Sequence, residues 1–381
     1  MYKRALEKPL QGSRSFFLFG PRGTGKTSWL KEKIPQGLYI DLLNQEIFFD
    51  LLQNPHRIEE MIPKGWKDWI IIDEVQKIPE LLNEVHRMIE SYRYKFILTG
   101  SSARKLKQKG TNLLAGRALY YKMFPLTAIE LGEDFHIEKS LKYGQLPTVH
   151  AEDVKAEDYL KSYIHVYLRE EVMQEGLTRN AAAFARFLQV ASFSQGSTVN
   201  VTEIAREASI ERKTVEDYFQ IAEDLLLASR IPVFTKRAKR KTVTHSKFFY
   251  FDVGVYRALR PMGPFDSPEE AEGPALESLV FQELQAINSY WDFGYELYFW
   301  RTVDKLEVDF ILYGPKGLVA IEVKRSQKIR SADLKALHAF HSDYPIAKLY
   351  LFYGGSQRLY FDDIEAIPIG EALQCLPQLL G

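Results

Sequence analysis

The sequence predicts an α/β protein of more than one domain, and three observations support this fold class. Strand and helix signals alternate through residues 1–150. Three helical segments and two strand-like runs follow in residues 181–260. Beyond residue 266 the order is helix, three strands, helix and strand. Strands that are separated by helices favour a parallel sheet with helices on both faces.

The composition is that of an ordinary folded protein. The chain has 381 residues, of which 46% are apolar and 26% are charged, and this excludes a disordered, collagenous or low-complexity chain. Lys and Arg number 50 and Asp and Glu number 50, which excludes a protein that coats nucleic acid by bulk charge but still allows local basic patches. At roughly 150 residues per domain, the length predicts two or three domains.

Cysteine content and hydropathy indicate the compartment. The single cysteine, Cys375, excludes an intramolecular disulfide and a cysteine-based zinc cluster and fits a reducing environment. The N-terminus lacks the apolar core of a signal peptide, and no apolar run approaches the roughly 18 residues that span a bilayer. We therefore expect a cytoplasmic protein without a membrane partner.

Five short apolar runs are the predicted strands of the first sheet: residues 15–19, 38–42, 69–72, 96–99 and 118–123. The pattern becomes helical in residues 151–180, where Tyr159, Tyr163 and Tyr167 recur every four residues. An aromatic stripe at this spacing is usually part of a core. We predict a first domain over residues 1–150 and a helical lid or linker over residues 151–180.

One segment after the first predicted strand fits the phosphate-binding pattern G-x-x-x-x-G-K-T in full; it reads Gly20, Pro21, Arg22, Gly23, Thr24, Gly25, Lys26 and Thr27. It opens a predicted helix, which is the context the pattern requires. Its glycines let backbone N–H groups close around phosphate oxygens, and the helix N-terminus adds a favourable dipole. Lys26 is predicted to reach the β- and γ-phosphates of ATP, and Thr27 to bind Mg²⁺. A glycine-rich turn without function is the alternative, and the flanking strand and helix disfavour it.

The third predicted strand delivers two carboxylates, Asp73 and Glu74, at its carboxyl end. Asp73 is predicted to bind the Mg²⁺ shell, and Glu74 to polarise the attacking water. Taken alone, the pair fits an acidic helix N-terminus better. Combined with the upstream phosphate-binding loop, it favours a catalytic role.

Two further positions near the predicted strands complete the candidate nucleotide site. Thr99 and Ser101 follow the fourth strand, where a hydroxyl is predicted to bond the γ-phosphate or the water, although small polar residues also make good turns. Arg117 lies just before the fifth strand. Such an arginine is either a finger that acts across a subunit interface or an ordinary surface residue.

Three segments carry a resemblance to a known family: I-I-D-E-V-Q-K-I-P, F-I-L-T-G-S-S-A and L-A-G-R-A-L-Y-Y-K-M-F-P-L. The order of elements resembles the AAA+ ATPases. The three segments resemble, more narrowly, bacterial and archaeal AAA+ ATPases whose C-terminal winged-helix and nuclease-like region is known only as a domain of unknown function. The resemblance covers nearly the whole chain. It implies a role for Arg117 as the finger, and therefore a homo-oligomer.

Residues 181–265 are predicted to form a winged helix-turn-helix. The pattern indicates three helices, the second capped by Thr202, and then a two-stranded ribbon. Helix, short helix, longer helix and β-ribbon is the element order of this motif. The predicted helices are residues 184–193, 201–208 and 210–227, and the predicted strands are residues 229–235 and 247–252.

Five cations in residues 236–241 fall at the tip of the predicted wing. Such charge contacts phosphates or enters the minor groove, and residues 211–214 begin the helix that is predicted to meet base edges. DNA is therefore the predicted partner. A solvated loop and a protein-interaction module are the alternatives, and Glu211, Glu216 and Asp217 argue against a strongly basic recognition face.

The last predicted domain, residues 266–381, opens with an acidic linker over residues 266–273. Asp309, Glu322 and Lys324 then fit the D…E-x-K pattern of the PD-(D/E)XK nucleases. That pattern is weak by itself, because chance matches are common. Glu277 lies on the preceding predicted helix, where this superfamily often has an extra acid.

The predicted hairpin register strengthens the pattern. A regular hairpin centred on residues 314–317 places Asp309 opposite Glu322 and Glu307 opposite Lys324 on one side, with an apolar core face on the other. Opposed carboxylates are destabilising unless a divalent cation lies between them. A surface ion pair between Glu307 and Lys324, without a metal, is the alternative.

These observations predict a Mg²⁺ site formed by Glu277, Asp309 and Glu322, with Lys324 positioning water or stabilising the transition state. Together with ATP and Mg²⁺ at the first site, the sequence predicts an oligomeric AAA+ ATPase with a nuclease-like domain that acts on DNA. One alternative is a nucleotide-dependent switch whose winged helix and inactive nuclease fold bind DNA or protein partners. A DNA-binding regulator without cleavage is another.

Overall fold

The computed structural model describes residues 2–102, 104, 106, 113–151, 154–168, 180–263 and 267–381. The chain forms two compact units. The N-terminal unit comprises residues 3–124 and 224–227, and the C-terminal unit comprises residues 1–2, 125–223 and 228–381. The finer division into four domains remains a prediction. Within the described part of the chain, no helix combines the length and the apolar character needed to cross a membrane.

The sheet of the N-terminal unit is parallel throughout, which confirms the prediction. Its strands are β1 Phe16–Phe19, β2 Leu38–Asp41, β3 Trp69–Asp73, β4 Lys95–Gly100 and β5 Leu119–Lys122. Their spatial order is β2-β3-β4-β1-β5. β1 and β3 are buried along their whole length, as expected of continuous apolar runs in a parallel sheet. The carboxyl ends of β3, β4 and β1 therefore lie side by side, at the edge where ligands bind in open α/β sheets.

Short helices connect these strands. Asn44 caps the second of the three longer helices by accepting from the backbone N–H groups of Glu46 and Ile47, which satisfies donors that have no partner inside the helix. The helices are α1 Lys8–Gln11, α2 Lys26–Lys33, α3 Gln45–Gln53 and α4 Leu81–Tyr92, with 3₁₀ segments at Pro55–Met61, Val75–Lys77 and Leu113–Gly116.

Seven α-helices are described between the first sheet and residue 267: α5 Ala128–Leu131, α6 Ile137–Tyr143, α7 Ala156–Ser162, α8 Ala181–Ala191, α9 Val201–Ala208, α10 Arg212–Asp224 and α11 Val253–Leu259. α7 continues into a π-helical segment, Tyr163–Leu168. Tyr163 is buried and contacts the rings of Tyr159 and Phe251, so this part of the tyrosine stripe is core. Residues 169–179 and the side chain of Tyr167 lie outside the described residues.

Helices α8, α9 and α10 are followed by the antiparallel ribbon of β6 Ala228–Ile231 and β7 Lys247–Tyr250. This is the predicted element order, and its assignment as a winged helix remains a prediction. Thr202 was wrong as the cap of α9. Asn200 is the cap and accepts from the backbone N–H of Glu203, because an amide oxygen one position before the helix reaches that donor.

The predicted linker over residues 266–273 was wrong, because the long helix α12 Pro268–Tyr290 begins there. Ser267 caps it by accepting from the backbone N–H of Glu270. Proline in the first turn is compatible with a helix because its missing N–H would have no partner. Acidic residues near the start interact favourably with the helix dipole. A run of acids with one proline is thus a helix start here.

The second sheet, in the C-terminal unit, is mixed. Its strands are β8 Glu296–Arg301, β9 Glu307–Gly314, β10 Gly317–Lys324, β11 Lys348–Tyr353, β12 Leu359–Phe361 and β13 Ile364–Pro368, in the order β12-β13-β11-β10-β9-β8. The helices that follow α12 are α13 Ser331–Asp343, α14 Ile369–Gln374 and α15 Leu376–Leu380. The predicted order from helix to last strand is present, and β12 and β13 extend the sheet beyond it.

The hairpin of β9 and β10 has the predicted register, from Gly314 opposite Gly317 to Phe310 opposite Ile321. On its other edge, however, β9 is bulged. Tyr298 of β8 faces Ile311, whereas Trp300 faces Val308, so two residues of β9 oppose one residue of β8. A bulge of this kind redirects the side chains beside it.

The predicted division of the hairpin into a charged side and an apolar side was therefore wrong. Val308 and Ile311 share one core cluster with residues of α13, whereas Phe310 stacks on Phe281 of α12, with ring centroids 6.3 Å apart. Asp309 and Glu322 are 6% and 4% exposed. Both faces of the hairpin are covered, and the predicted carboxylates are buried.

Candidate functional site

The loop of residues 20–27 joins β1 to α2, as the motif requires. Gly23 and Gly25 adopt φ of 84° and 88°, a conformation that favours glycine. A Cβ atom at Gly20 would collide with the carbonyl oxygen of Met123. Three glycines of the motif are thus required by backbone geometry before any ligand is considered.

Lys26 lies inside this loop. Its side chain is buried, and its Nζ donates to the carbonyl oxygens of Gly20 at 2.7 Å and Pro21 at 3.2 Å. Thr24 Oγ1 also donates to the Pro21 carbonyl, at 2.9 Å. Arg4 donates to the Thr24 carbonyl at 2.9 Å and so adds a further contact to the loop. Arg22 is half-buried in the same loop.

Three residues predicted from separate motifs meet at the carboxyl edge of the sheet. Thr27 Oγ1 donates to Asp73 Oδ2 at 2.7 Å, and Thr99 Oγ1 donates to Asp73 Oδ1. Asp73 is 7% exposed. Burial, followed by the negative charge of Asp73, raises the pKa of nearby Tyr39 to about 12. The structure therefore brings together a loop hydroxyl, a strand-end carboxylate and a second hydroxyl.

The second group of predicted residues, in the C-terminal unit, surrounds a lysine that sequence reasoning missed. Lys247 is buried, and its Nζ lies 3.3 Å from Glu277 Oε2 and 3.2 Å from Asp309 Oδ1. It also forms an ion pair with Glu307, and Arg301 lies 3.3 Å from the other oxygen of Glu307. The predicted pair between Glu307 and Lys324 is absent from these contacts.

The other two predicted residues pair with each other. Lys324 forms an ion pair with Glu322 Oε1, while Glu322 Oε2 is buried without a hydrogen-bond partner in the described part of the chain. Asp309 Oδ2 accepts from the backbone N–H of Val323 at 2.9 Å. Burial, followed by the negative charge of Asp309, raises the pKa of Glu322 well above its usual range.

Glu277, Asp309 and Glu322, the predicted Mg²⁺ ligands, are paired with lysines of the same chain. No group of three or more His, Cys, Asp or Glu side chains among the described residues is arranged to hold a metal ion. The physical reason is that an ammonium lies between Glu277 and Asp309, and Glu322 pairs with Lys324 instead.

Three family models match successive parts of the chain. A family model described as an AAA domain matches residues 12–132, which contain the loop, Asp73 and Thr99. The N-terminal part of the chain is therefore an AAA domain. Residues 134–266 and 272–372 match two domains of unknown function, DUF8612 and DUF4143.

Two relatives match most of the chain. An uncharacterized protein of Haemophilus influenzae is 24% identical over 289 residues, which are 70% of this chain and 68% of its own length. An uncharacterized protein of Methanocaldococcus jannaschii is 23% identical over 368 residues, which are 87% of this chain and 80% of its own length.

Two solved structures are similar at a low level. The Aeropyrum pernix ORC1 protein, solved in complex with DNA, is 13% identical with a TM-score of 0.23 and covers 67% of this chain and 89% of its own. Protein VC1899 from Vibrio cholerae is 11% identical with a TM-score of 0.22 and covers 90% of this chain and 97% of its own. TM-scores this low carry no inference about shared fold or function.

Within the AAA domain, Glu74 begins the turn after β3 in the left-handed conformation, with a φ of 60°. Gln76 Nε2 donates to Glu74 Oε2 and to Ser101 Oγ, the latter at 3.2 Å. Gln76 is buried. It links the two predicted residues and was missed from the sequence, where its only signal is its place two positions after Glu74.

Arg117 of the AAA domain forms an ion pair with Glu90 of α4 in the same chain. Its hydrogen bond to Glu90 lowers the pKa of that carboxyl. Both side chains are partly exposed, so the pair is a weak surface contact. The role of Arg117 as a finger, and the homo-oligomer that such a role implies, remain predictions.

The basic segment of residues 236–241 is partly paired within the C-terminal unit. Lys236 lies 3.2 Å from Glu296 and 4.2 Å from the ring centroid of Tyr313. Arg240 lies 2.8 Å from Asp343. Two of the five predicted wing cations are therefore held by acids of the same chain.

Backbone contacts show the course of this segment. Phe234 N donates to the Phe299 carbonyl at 2.7 Å, and Val243 N donates to the Arg301 carbonyl at 3.1 Å. Phe234 itself lies in the core cluster that contains Trp300. The segment before and after the basic tip runs along β8, so the predicted wing is anchored to the second sheet.

Proposed function

We propose that the protein is an ATP-hydrolysing ATPase whose site comprises the loop of residues 20–27 and the strand-end residues Asp73, Glu74 and Thr99. The observation that carries the proposal is the contact of Thr27 and Thr99 with both oxygens of Asp73. A phosphate-binding loop, a hydroxyl and a buried carboxylate at neighbouring strand ends are the parts that phosphoryl transfer uses in P-loop enzymes.

The donor set suits Mg²⁺. Thr27 Oγ1 and Asp73 Oδ2, 2.7 Å apart, are oxygen ligands of the kind that Mg²⁺ prefers, and these two residues would hold it. Bound Mg²⁺ neutralises charge that develops on the phosphates. Lys26 exchanges its two loop carbonyls for phosphate oxygens, which are stronger partners because they are charged.

Glu74 is the proposed base that orients the attacking water. Its left-handed backbone turns the residue away from the line of β3, and such strain is a feature of functional positions. Gln76 donates to the Glu74 side chain and also to Ser101 Oγ. In the proposed site, Gln76 is a positioning residue that acts through Glu74.

Glu74→Gln is expected to lower the rate of Mg²⁺-dependent ATP hydrolysis by roughly 10²- to 10⁴-fold, the contribution typical of a general base. ATP affinity is expected to stay near the wild-type value, because the substitution leaves the loop intact. Steady-state phosphate release and fluorescent-nucleotide binding measure the two quantities. Glu60→Gln, at an exposed glutamate, is the matched control. Equal rates for Glu74→Gln and the control would contradict the proposed role.

We propose DNA as a second ligand, through the free part of the basic segment. Arg237, Lys239 and Lys241 are exposed, and their side chains form no ion pair with any residue that the structure describes. Lys236 and Arg240 are already paired with acids. The unpaired three are therefore the cations available to phosphates.

Replacing Arg237, Lys239 and Lys241 together by glutamine is expected to flatten the slope of log K against log salt by roughly 3, about 0.9 for each phosphate contact. Fluorescence anisotropy with duplex DNA at several salt concentrations measures the slope. Lys236→Gln with Arg240→Gln is the control and is expected to change the slope less. An unchanged slope in the triple variant would exclude this segment as the contact.

A further inference from the structure

The position of Lys247 is fixed by backbone contacts on two sides. It is the first residue of β7 and lies opposite Ile231 of β6. It also forms a β-bridge with Thr198. Its side chain is 1% exposed. Strand β7, which precedes α12 in the chain, therefore places an ammonium group in the protein interior.

Three carboxylates from two elements receive this ammonium: Glu277 of α12, and Glu307 and Asp309 of β9. Burial alone lowers the pKa of a lysine. Here the three negative charges outweigh burial and raise the pKa of Lys247 above its ordinary value. The three carboxylates around Lys247 therefore favour its charged ammonium form.

The surrounding charges nearly balance without a metal. Glu277, Glu307, Asp309 and Glu322 supply four carboxyl groups, and Lys247, Arg301 and Lys324 supply three cations. Burial, followed by the charge of Asp309, raises the pKa of Glu277 to about 8. A buried cluster of acids is stable only when it is paired in this way.

These contacts disagree with the Mg²⁺ site that the D…E-x-K pattern implies. Mg²⁺ requires oxygen ligands at roughly 2.0–2.1 Å in octahedral geometry. The carboxylates of Glu277 and Asp309 are turned to the ammonium instead, and the second oxygen of Asp309 accepts from the Val323 backbone. A divalent cation would also meet the repulsion of Lys247 at this position.

We propose that Lys247 is the resident cation of this cluster and takes the place that a divalent metal holds in a nuclease of this pattern. The cluster is then a metal-free ion-pair centre that joins β7 to α12 and β9. Its role is to hold these elements together, and the unit that contains it binds neither Mg²⁺ nor Mn²⁺ there.

The proposal predicts an exchange of cations. Lys247→Met removes the ammonium, is nearly isosteric along the side chain, and leaves Glu277 and Asp309 without their cation. In EDTA this variant is expected to unfold at a lower temperature than wild type. Mn²⁺ is expected to raise its Tm by several degrees, because a ligand that binds only the native state stabilises it. Wild type and Lys247→Arg, which keep the cation, are expected to show no such rise.

Differential scanning fluorimetry of the full chain, with EDTA or with Mn²⁺, measures these shifts. Adding Asp309→Asn to Lys247→Met is expected to abolish the Mn²⁺ response, which assigns the response to this cluster and excludes the nucleotide site. A Lys247→Met variant as stable as wild type in EDTA would overturn the proposal. So would a folded Lys247→Met variant whose Tm does not respond to Mn²⁺.

A second measurement does not depend on the folding of Lys247→Met. Isothermal titration of wild type with Mn²⁺ is compared with titration of Asp309→Asn. The two proteins are expected to bind Mn²⁺ identically, because Asp309 pairs with the Lys247 ammonium and not with a metal ion. Saturable binding by wild type that Asp309→Asn removes would overturn the proposal and restore the metal site.

Discussion

Replacing Lys26 with alanine is expected to abolish ATP hydrolysis and to weaken ATP binding while leaving the fold intact. In the structure the buried Nζ donates to the carbonyls of Gly20 and Pro21, and in the proposed nucleotide complex it donates to phosphate oxygens. A hydrogen bond to a charged group contributes about 1.5–3 kcal/mol. Loss of two such bonds corresponds to roughly a 10²- to 10⁴-fold increase in Kd.

Equilibrium binding of a fluorescent ATP analogue measures the loss, and circular dichroism checks the fold. Lys31→Ala is the matched control, since Lys31 is exposed in the same helix α2. Lys26→Arg separates charge from shape, because arginine keeps the charge but not the compact ammonium. Wild-type affinity in Lys26→Ala would show that the loop of residues 20–27 is a turn without a phosphate.

Asp252→Ala is expected to destabilise the C-terminal unit strongly. The side chain of Asp252 is fully buried and caps α11 by accepting from Val255 N at 3.1 Å. It also accepts from Gln145 N at 2.8 Å. Each buried N–H left without a partner costs about 1–3 kcal/mol, so the expected loss is about 2–6 kcal/mol.

Urea unfolding of the full chain, followed by fluorescence, measures this loss as a lower midpoint. Asn200→Ala is the matched control because Asn200 also caps a helix, α9, but is exposed. The loss of an exposed cap is expected to cost only about 1 kcal/mol. Equal losses in the two variants would mean that burial of Asp252 adds nothing to its capping role.

The first sheet could be predicted because its signals are local. Residues 69–72 are continuous apolar residues and are followed by the carboxylate of Asp73, and the glycine motif requires a strand before it and a helix after it. The contacts among Thr27, Asp73 and Thr99 follow from strand order, since parallel strands present their carboxyl ends at one edge.

The second sheet could be predicted only in part. β12 is short and mostly exposed, and β13 ends in proline, so neither has a strong strand signal. The bulge in β9 has one signal that the alternation argument overlooked. Phe310, Ile311 and Leu312 are three consecutive apolar residues, which favours a strand that is covered on both faces.

The second carboxylate cluster shows the limit of motif reasoning. Asp309, Glu322 and Lys324 were predicted to act together at a Mg²⁺ site, whereas Lys247, which lies 62 residues before Asp309, was not predicted. No spacing rule connects the two. The sole local signal is a lysine at the start of an otherwise aromatic strand, K-F-F-Y, and only the tertiary structure supplies its partners.

The path of residues 232–247 determines where this chain can be cut. A fragment that begins at residue 267 would contain the whole region matched as DUF4143, yet it would lack Phe234 from its core and Lys247 from its carboxylates. Both losses fall on buried positions, one leaving a cavity and the other leaving uncompensated charge. The limits of the DUF4143 match are therefore not the limits of an autonomous folding unit. Expression of that region alone is expected to give a protein with a defective core.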